Sequence, residues 1–372
     1  MILPVSRPSV GQDELELVRK VFATGWLGLG SEVFKFENKL KEYLGAKNVI
    51  AVNTGTTALH LALDGFGIGE GDEVIVPSLT FCACIQAITA LKAIPVFCEI
   101  EPKTLNIDIK DAKKRITNKT KVIMPVHYCG NVCNMNALLE VSSKNNIVII
   151  EDAAHAFGSS YKGQKVGSLG DATCFSFDPI KLITCGEGGA IALSDDTIAE
   201  KITRKRILGI DKDTWHRYKN QRSWFYEVTS QGYRYHMSNI NAAIGLAQFE
   251  KLDKFISKKR RIVQLYNENL NHIKEIKLID WNLGETAPFT YIIRVVNGKR
   301  NELMDFLNSR NIGSGVHYIP NHIQPFFKKY ASSLPVTEKI WEEIITLPLY
   351  YDMTEKDVAK VISSIKLFFK NG

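Results

Sequence analysis

The sequence has no apolar run approaching the roughly 18 residues that a membrane helix needs. Residues Met1–Val10 lack a basic segment followed by an apolar one, so no secretion signal is expected and a cytoplasmic location is the default. There is no internal repeat and no low-complexity linker. The 7 cysteines (Cys82, Cys84, Cys98, Cys129, Cys133, Cys174 and Cys185) are odd in number and sit mostly among apolar residues. That argues against a disulfide framework and for reduced, buried thiols. Cys82-Ala-Cys84 and Cys129-x3-Cys133 find no further His or Cys at a zinc-like spacing, so no metal is expected. Nucleic-acid modules are missing as well. The formal net charge of +7 suits an anionic ligand such as a nucleotide. The basic runs Lys201–Arg206 and Lys258–Arg261 interleave with apolar residues at helical spacing and read as solvated helix faces.

The 372 residues suffice for a large domain and a smaller one, each with a buried core. Between about residues 45 and 195, short apolar runs rich in Val and Ile alternate with amphipathic stretches. The runs are Asn48–Val52, Glu73–Val76, Pro95–Glu99, Val122–Val126, Ile147–Glu151, Thr173–Phe177 and Ala190–Leu193. Continuous apolar runs of this length read as strands buried on both faces. The stretches Thr56–Phe66, Cys82–Leu91 and Met135–Lys144 read as helices between them. The alternation predicts a mainly parallel, doubly wound α/β sheet. Beyond about residue 240 the pattern becomes α+β. Helices are expected at Asn241–Phe255, Ser257–Ile273, Lys299–Arg310 and Glu355–Phe369, with a strand at Thr290–Val296. The division falls at residues 1–245 and 246–372, joined without a flexible tether.

Four local features carry chemistry. Asn53-Thr54-Gly55-Thr56-Thr57 follows an apolar strand and opens a helix. Free N–H groups and the positive end of the helix dipole there suit a phosphate, or the turn is an ordinary N-cap. Glu151-Asp152-Ala153-Ala154-His155 places a carboxylate at the carboxyl end of a buried strand, where open α/β sheets bind ligands. Such a carboxylate either caps the strand or pairs with a cofactor's protonated ring nitrogen. His155 is either structural or reaches the same cofactor's O3′ side. Phe175-Ser176-Phe177-x3-Lys181 precedes Gly186-Glu187-Gly188-Gly189. A strand there delivers a hydroxyl and then Lys181, which is either an ordinary surface lysine or an amine whose pKa burial would lower, as a Schiff-base lysine requires. Glycines let the backbone approach a cofactor closely. Phe81, just past the strand ending at Val76, either packs in the core or stacks on an aromatic cofactor.

Taken in order, these segments resemble the sugar-nucleotide aminotransferases of the DegT/DnrJ/EryC1/StrS family. The resemblance runs from Gly25-Trp26-Leu27 through Gly71–Ser78, Glu151–His155, Ser176–Lys181 and Gly186–Gly189 to Ala242–Gln248 and Val316-His317-Tyr318. It implies the aspartate-aminotransferase-like fold type I, with a mainly parallel seven-stranded sheet, helices on both faces and a smaller α+β C-terminal domain. Pyridoxal 5′-phosphate is the implied cofactor, and glutamate the amino donor in a ping-pong exchange with a nucleotide keto-sugar. Lys181 matches the Schiff-base lysine and proton shuttle, Asp152 the partner of the ring nitrogen, and Phe81 the stacking ring. Gly55, Thr56, Thr57 and Ser176 match the phosphate cup. Trp26, His317 and Tyr318 are candidate sugar contacts. Members are homodimers with the active site at the interface, and Gly232–Ser238 resembles the segment one subunit lends the other. The family usually places an asparagine in that segment; this chain has Arg234 and His236 there, either of which can hydrogen-bond a phosphate. Some relatives dehydrate sugars, with a histidine in place of the lysine, and a regulatory protein could keep the fold without catalysis. Retention of Lys181 with Asp152 favours amine transfer.

Overall fold

The computed structural model describes residues 2–211 and 226–370. In chain order the elements that matter begin with helices α1 (Gln12–Thr24) and α2 (Ser31–Leu44) and strand β1 (Asn48–Val52). Then come α3 (Gly55–Gly65), β2 (Glu73–Pro77), α4 (Ala83–Ala90), β3 (Ile94–Cys98), α5 (Ile109–Lys114), β4 (Thr120–Ile123), α6 (Met135–Asn145) and β5 (Val148–Asp152). A small hairpin, β6 (Ser160–Tyr161) and β7 (Gln164–Lys165), precedes β8 (Ala172–Ser176), β9 (Gly189–Leu193) and α7 (Asp196–Lys205).

These strands form a seven-stranded sheet in the order β1-β9-β8-β5-β4-β2-β3. The neighbours from β8 to β3 run parallel, whereas β9 is antiparallel to both β8 and β1. The sheet is buried on both faces, which is why its strands are unbroken apolar runs. On one face, Leu59, Leu63, Ile85 and Ile202 from α3, α4 and α7 pack against Val74, Val122 and Ile191. On the other, Val33, Phe36 and Leu40 of α2 pack with Phe157, Phe175 and Phe177.

The remaining elements are α8 (Asn239–Phe249), α9 (Leu252–Leu270), β10 (Ile276–Leu278), β11 (Tyr291–Val295), α10 (Arg300–Ser309), α11 (Pro335–Glu343), β12 (Ile344–Leu347) and α12 (Glu355–Lys370). Strands β10, β11 and β12 form an antiparallel sheet with its own core, including Ile262, Tyr266, Leu303 and Val361. Leu3 joins that core, and its backbone bonds to Asn311 and Gly313. The expected break between two helices at residue 256 lies instead at Glu250–Lys251. The stripe Leu252, Phe255, Ile256 continues the burial of α9, so no break is needed where it was expected.

The two basic runs are less solvated than their composition predicts. Arg206 is buried, bonding Glu37 and the Ala51 carbonyl, and Lys205 pairs with Asp64 at 2.8 Å. Lys259 is also buried, and its ammonium meets the Phe289 carbonyl at 3.2 Å.

Two buried networks position the strand ends. His127 accepts the Cys133 N–H on Nδ1, so Nε2 carries the ring proton and donates it to Glu151 at 2.7 Å. Glu151 also accepts from Gly170 N–H and the Thr173 hydroxyl, leaving a fully buried carboxylate well bonded. Farther along, the turn at Asn321-His322 grips the segment after β2. Asn321 donates to the carbonyls of Ser78 and Thr80 at 3.1 and 2.7 Å. The His322 N–H donates to Ser78 Oγ, so the Ser78 hydroxyl donates to His322 Nδ1 at 2.7 Å, and Nε2 donates to Glu338.

Candidate active site

A cavity of about 350 Å³ opens at the carboxyl ends of β5 and β8, beside the N-terminus of α3. This is where open α/β sheets hold ligands. Lys181, Asp152, His155, Ser176, Gly55, Thr56, Phe81, His317 and Tyr318 all line it.

Strand β5 ends at Asp152, whose Oδ1 accepts the Ala154 N–H at 2.9 Å and whose Oδ2 accepts the Cys84 thiol at 2.8 Å. Strand β8 ends at Ser176, and a turn closed by Lys181 N–H to the Asp178 carbonyl brings the lysine back over the cavity. The Lys181 ammonium lies 4.4 Å from the centre of the Phe289 ring. Burial lowers its pKa, against the opposing pull of Asp152, Asp178 and Cys84. Lys259 approaches Phe289 from beyond the cavity, 5.8 Å from the same ring. Burial, then repulsion from Lys181, brings its pKa down to about 7.

His155 stacks on Phe289 at 4.3 Å and shares a hydrogen bond with the Tyr318 hydroxyl at 3.1 Å through Nε2. Its Nδ1 is buried without a partner among the described residues. Burial, followed by Lys181 and His317, pushes its pKa well down, so the ring is neutral. His317 is held down to about 4 by burial and then Lys181, and donates to or accepts from the Thr346 hydroxyl. Phe81 is 53% exposed, with its ring 5.5 Å from that of Tyr318.

The N-terminus of α3 touches Ser176 so closely that only glycine fits. A Cβ on Gly55 would lie 2.7 Å from the Ser176 Cβ, and one on Gly189 would lie 2.4 Å from the Thr54 carbonyl oxygen. Thr54 caps the helix and accepts the Thr57 N–H. The Thr57 hydroxyl is committed to that cap, bonding Asn53 at 2.8 Å and the Thr54 carbonyl. Thr57 therefore does not line the cavity, and Thr54 does so in its place.

Three other expected residues lie elsewhere in this chain. Trp26, Arg234 and His236 line a second cavity of about 280 Å³, together with Ile207 and Leu208. The Trp26 indole donates to the Leu29 carbonyl at 2.8 Å. The reading from sequence missed Asp178, Glu187 and Thr80 on the wall and Phe289 beneath Lys181. Asp178 and Glu187 stood inside the quoted motifs; Phe289 had no local signal, because only the fold brings it to Lys181.

The sequence matches the DegT/DnrJ/EryC1/StrS aminotransferase family over residues 8–366. It is 38% identical over 370 residues to the GDP-perosamine synthase of Caulobacter vibrioides, covering 98% of this chain and 97% of that protein. It is 37% identical over 380 residues to the spore coat polysaccharide biosynthesis protein SpsC of Bacillus subtilis, covering 100% and 98%. Among solved structures, Spr1654 of Streptococcus pneumoniae in its PLP form superposes with a TM-score of 0.93 at 28% identity, over 100% of this chain and 99% of that one. Pyridoxal phosphate is the cofactor of these aminotransferases, and their substrates are sugars. By its sequence over nearly its whole length, and by a fold that agrees, this chain belongs to the DegT/DnrJ/EryC1/StrS aminotransferase family.

Proposed function

We propose that this sugar aminotransferase takes an amino group from glutamate and delivers it to the keto carbon of a sugar carried on a nucleoside diphosphate, with its cofactor in the Lys181 cavity. The observation that carries this reading is the convergence of Lys181, Asp152 and the N-terminus of α3 on one cavity. The residues present fit pyridoxal phosphate. Gly55 lets the start of α3 close against Ser176, which sets the helix N-terminus beside that hydroxyl and suits a phosphate. The Nδ1 of His155, buried without a partner among the described residues, is a polar atom that a ligand would satisfy. When bound, the cofactor supplies a ring that accepts the electron pair left as a proton departs the carbon next to nitrogen.

The chain's residues divide the remaining work. Lys181 would hold the cofactor through its amine and, once released, carry the proton to and from carbon through Nζ. Its lowered pKa keeps a larger share of that amine neutral. Asp152 would keep the ring nitrogen protonated, and Phe81 would cover one face of the ring. Thr56, Ser176 and the backbone at Gly55 would bind the phosphate. His317 and Tyr318 would meet the sugar, beside Asp152 and Phe81.

Of the residues that line the second cavity, Arg234 has a role in the same proposal. Arg234 is exposed. In a homodimer, the segment Gly232–Ser238 of one subunit would extend toward the other's phosphate site, where Arg234 adds the cation that the cradle of Thr56 and Ser176 does not supply. The division into a large part, residues 1–245, and a small part, 246–372, belongs to the proposal too. So does a cytoplasmic location; no helix among the described residues is long and apolar enough to cross a membrane.

The test is a panel of dTDP-, UDP- and GDP-linked keto-sugars incubated with the holoenzyme and glutamate, with product mass as the readout. An amino-sugar nucleotide with loss of glutamate is the expected result. Amination of free keto-sugars with no turnover of any nucleotide form would overturn the nucleotide part of the reading.

A further inference from the structure

Asp152 is gripped on both carboxylate oxygens. The Ala154 N–H donates to Oδ1 at 2.9 Å, and the Cys84 thiol donates to Oδ2 at 2.8 Å. Cys84 belongs to the first turn of α4, three residues after Phe81, and is completely buried. Its sulfur also lies 3.4 Å from the Thr80 hydroxyl. A carboxylate can only accept, so the thiol hydrogen goes to Asp152 and the Thr80 hydroxyl is left to donate to sulfur. The result is a short relay, Thr80 to Cys84 to Asp152, that begins on the cavity wall and ends on the carboxylate.

A buried thiol ordinarily fills space as a small apolar group. Here it faces an acid. We propose that Cys84 is a positioning residue for amine transfer: its thiol fixes the rotation of the Asp152 carboxylate and so selects the lone pairs that face the cofactor's ring nitrogen. This rests on the reading of Asp152 as the partner of that nitrogen. A carboxylate offers about four lone-pair directions, and with one on each oxygen occupied, those that remain are fixed relative to the cavity. Without the thiol, the carboxylate can turn about its Cβ–Cγ bond. It also loses one of the two hydrogen bonds that hold it in place. Both changes loosen the hold on the ring proton. The other groups facing Asp152 are Lys181, Tyr318 and the buried Cys174. Burial, then the charge of Asp152, raises the Cys84 pKa well above that of an ordinary thiol, so it remains a donor throughout the neutral range.

The experiment compares holoenzymes carrying Cys84→Ser, Cys84→Val and Cys84→Ala with wild type and with Asp152→Asn. Serine keeps a donor, and valine keeps apolar volume without one. The readouts are the cofactor dissociation constant, the pH midpoint of the bound cofactor's visible absorption, and kcat and KM separately. Valine and alanine are expected to shift the spectral midpoint, lower kcat about fivefold and weaken cofactor binding about fivefold, as loss of one such bond implies, with KM within about twofold. Serine is expected to restore all three to within about twofold of wild type. A valine variant that matches wild type in midpoint and kcat, or a serine variant as impaired as alanine, overturns the proposal. If valine prevents folding, as a melting curve would show, the serine and alanine pair makes the same comparison. Unchanged cofactor affinity and kcat in Asp152→Asn would instead overturn the role given to Asp152. A strong effect there with a silent Cys84→Val removes only the thiol's role.

Discussion

Replacing Lys259 by methionine removes a buried amine while keeping most of its length and apolar volume. Lys259 is 4% exposed, and its hydrogen-bond partner is the Phe289 carbonyl. In the unfolded chain its pKa is that of an ordinary lysine, whereas in the folded protein burial and Lys181 bring it to about 7. Between those two values the unfolded chain binds a proton that the folded protein has released, so stability rises with pH. Below pH 7 both states are protonated and the cost of the buried charge, about 4 to 5 kcal/mol, is fully present. From pH 7.5 to 8.5 this one group should add about 1.2 kcal/mol to wild-type stability. The methionine variant loses that slope. It also loses the bond to Phe289, a cost of about 1 to 3 kcal/mol, but that cost does not depend on pH and cancels in the comparison. The assay is urea denaturation of wild type and variant at both pH values, followed by tryptophan fluorescence. The quantity of interest is the wild-type gain minus the variant gain. Parallel stability–pH curves for the two proteins would refute the reasoning, because they would mean that Lys259 keeps its proton in the folded state.

Four further outcomes follow from the geometry. Glu151→Gln leaves the His127 Nε2 proton, the Gly170 N–H and the Thr173 hydroxyl competing for a neutral amide, and is expected to destabilise by about 2 to 4 kcal/mol in denaturant titration; a change below about 0.5 kcal/mol refutes the network's importance. Gly55→Ala forces α3 away from Ser176, so pyridoxal phosphate affinity should fall at least about tenfold while the circular dichroism spectrum stays native; an unchanged affinity places the phosphate elsewhere. Lys181→Ala should abolish glutamate-dependent bleaching of the cofactor's visible band, and a variant that still bleaches removes the lysine from the chemistry. Mixing Lys181→Ala with Arg234→Ala subunits should restore up to about a quarter of wild-type activity through hybrid dimers with one intact site, and no restoration argues against a shared site.

The seven strands were legible because a strand covered on both faces needs apolar side chains on both, leaving an unbroken run of Val and Ile such as Val148-Ile149-Ile150. Observed strand ends differ from those read in the sequence by no more than a few residues. Strands β10 and β12 escaped notice, since Ile276–Leu278 is too short to show a period and Ile344–Leu347 follows directly on α11. The burial of Lys205, Arg206 and Lys259 was not legible either. Their partners Asp64, Glu37 and Phe289 lie far off in the chain, and a basic run gives no sign of which of its members points inward. Within the cavity, Asp152, Ser176 and Lys181 could be read because each sits at or just past a strand end within a local motif. The bond between His155 and Tyr318 spans 163 positions and depends on the packing of the C-terminal part. Thr57 was misread for a subtler reason. Thr54 is the N-cap, and the threonine three positions on, Thr57, turns its hydroxyl back to that cap as its reciprocal partner.

The clamp between Asn321-His322 and the segment Ser78–Thr80 means that two walls of the cavity, drawn from opposite ends of the chain, are one mechanical part. Phe81 follows the clamped segment directly, and Tyr318 precedes the clamping turn by three residues. Any tilt of the C-terminal sheet must either carry the Phe81 ring with it or break several short bonds at once. Phe81 also lies between Thr80 and Cys84, and the Cys84 thiol bonds Asp152, so the clamp, the two rings and the carboxylate hold one aperture of fixed width. A substitution at His322, remote from any reacting atom, should therefore disturb the spacing of Phe81 and Tyr318 and raise KM before it alters kcat.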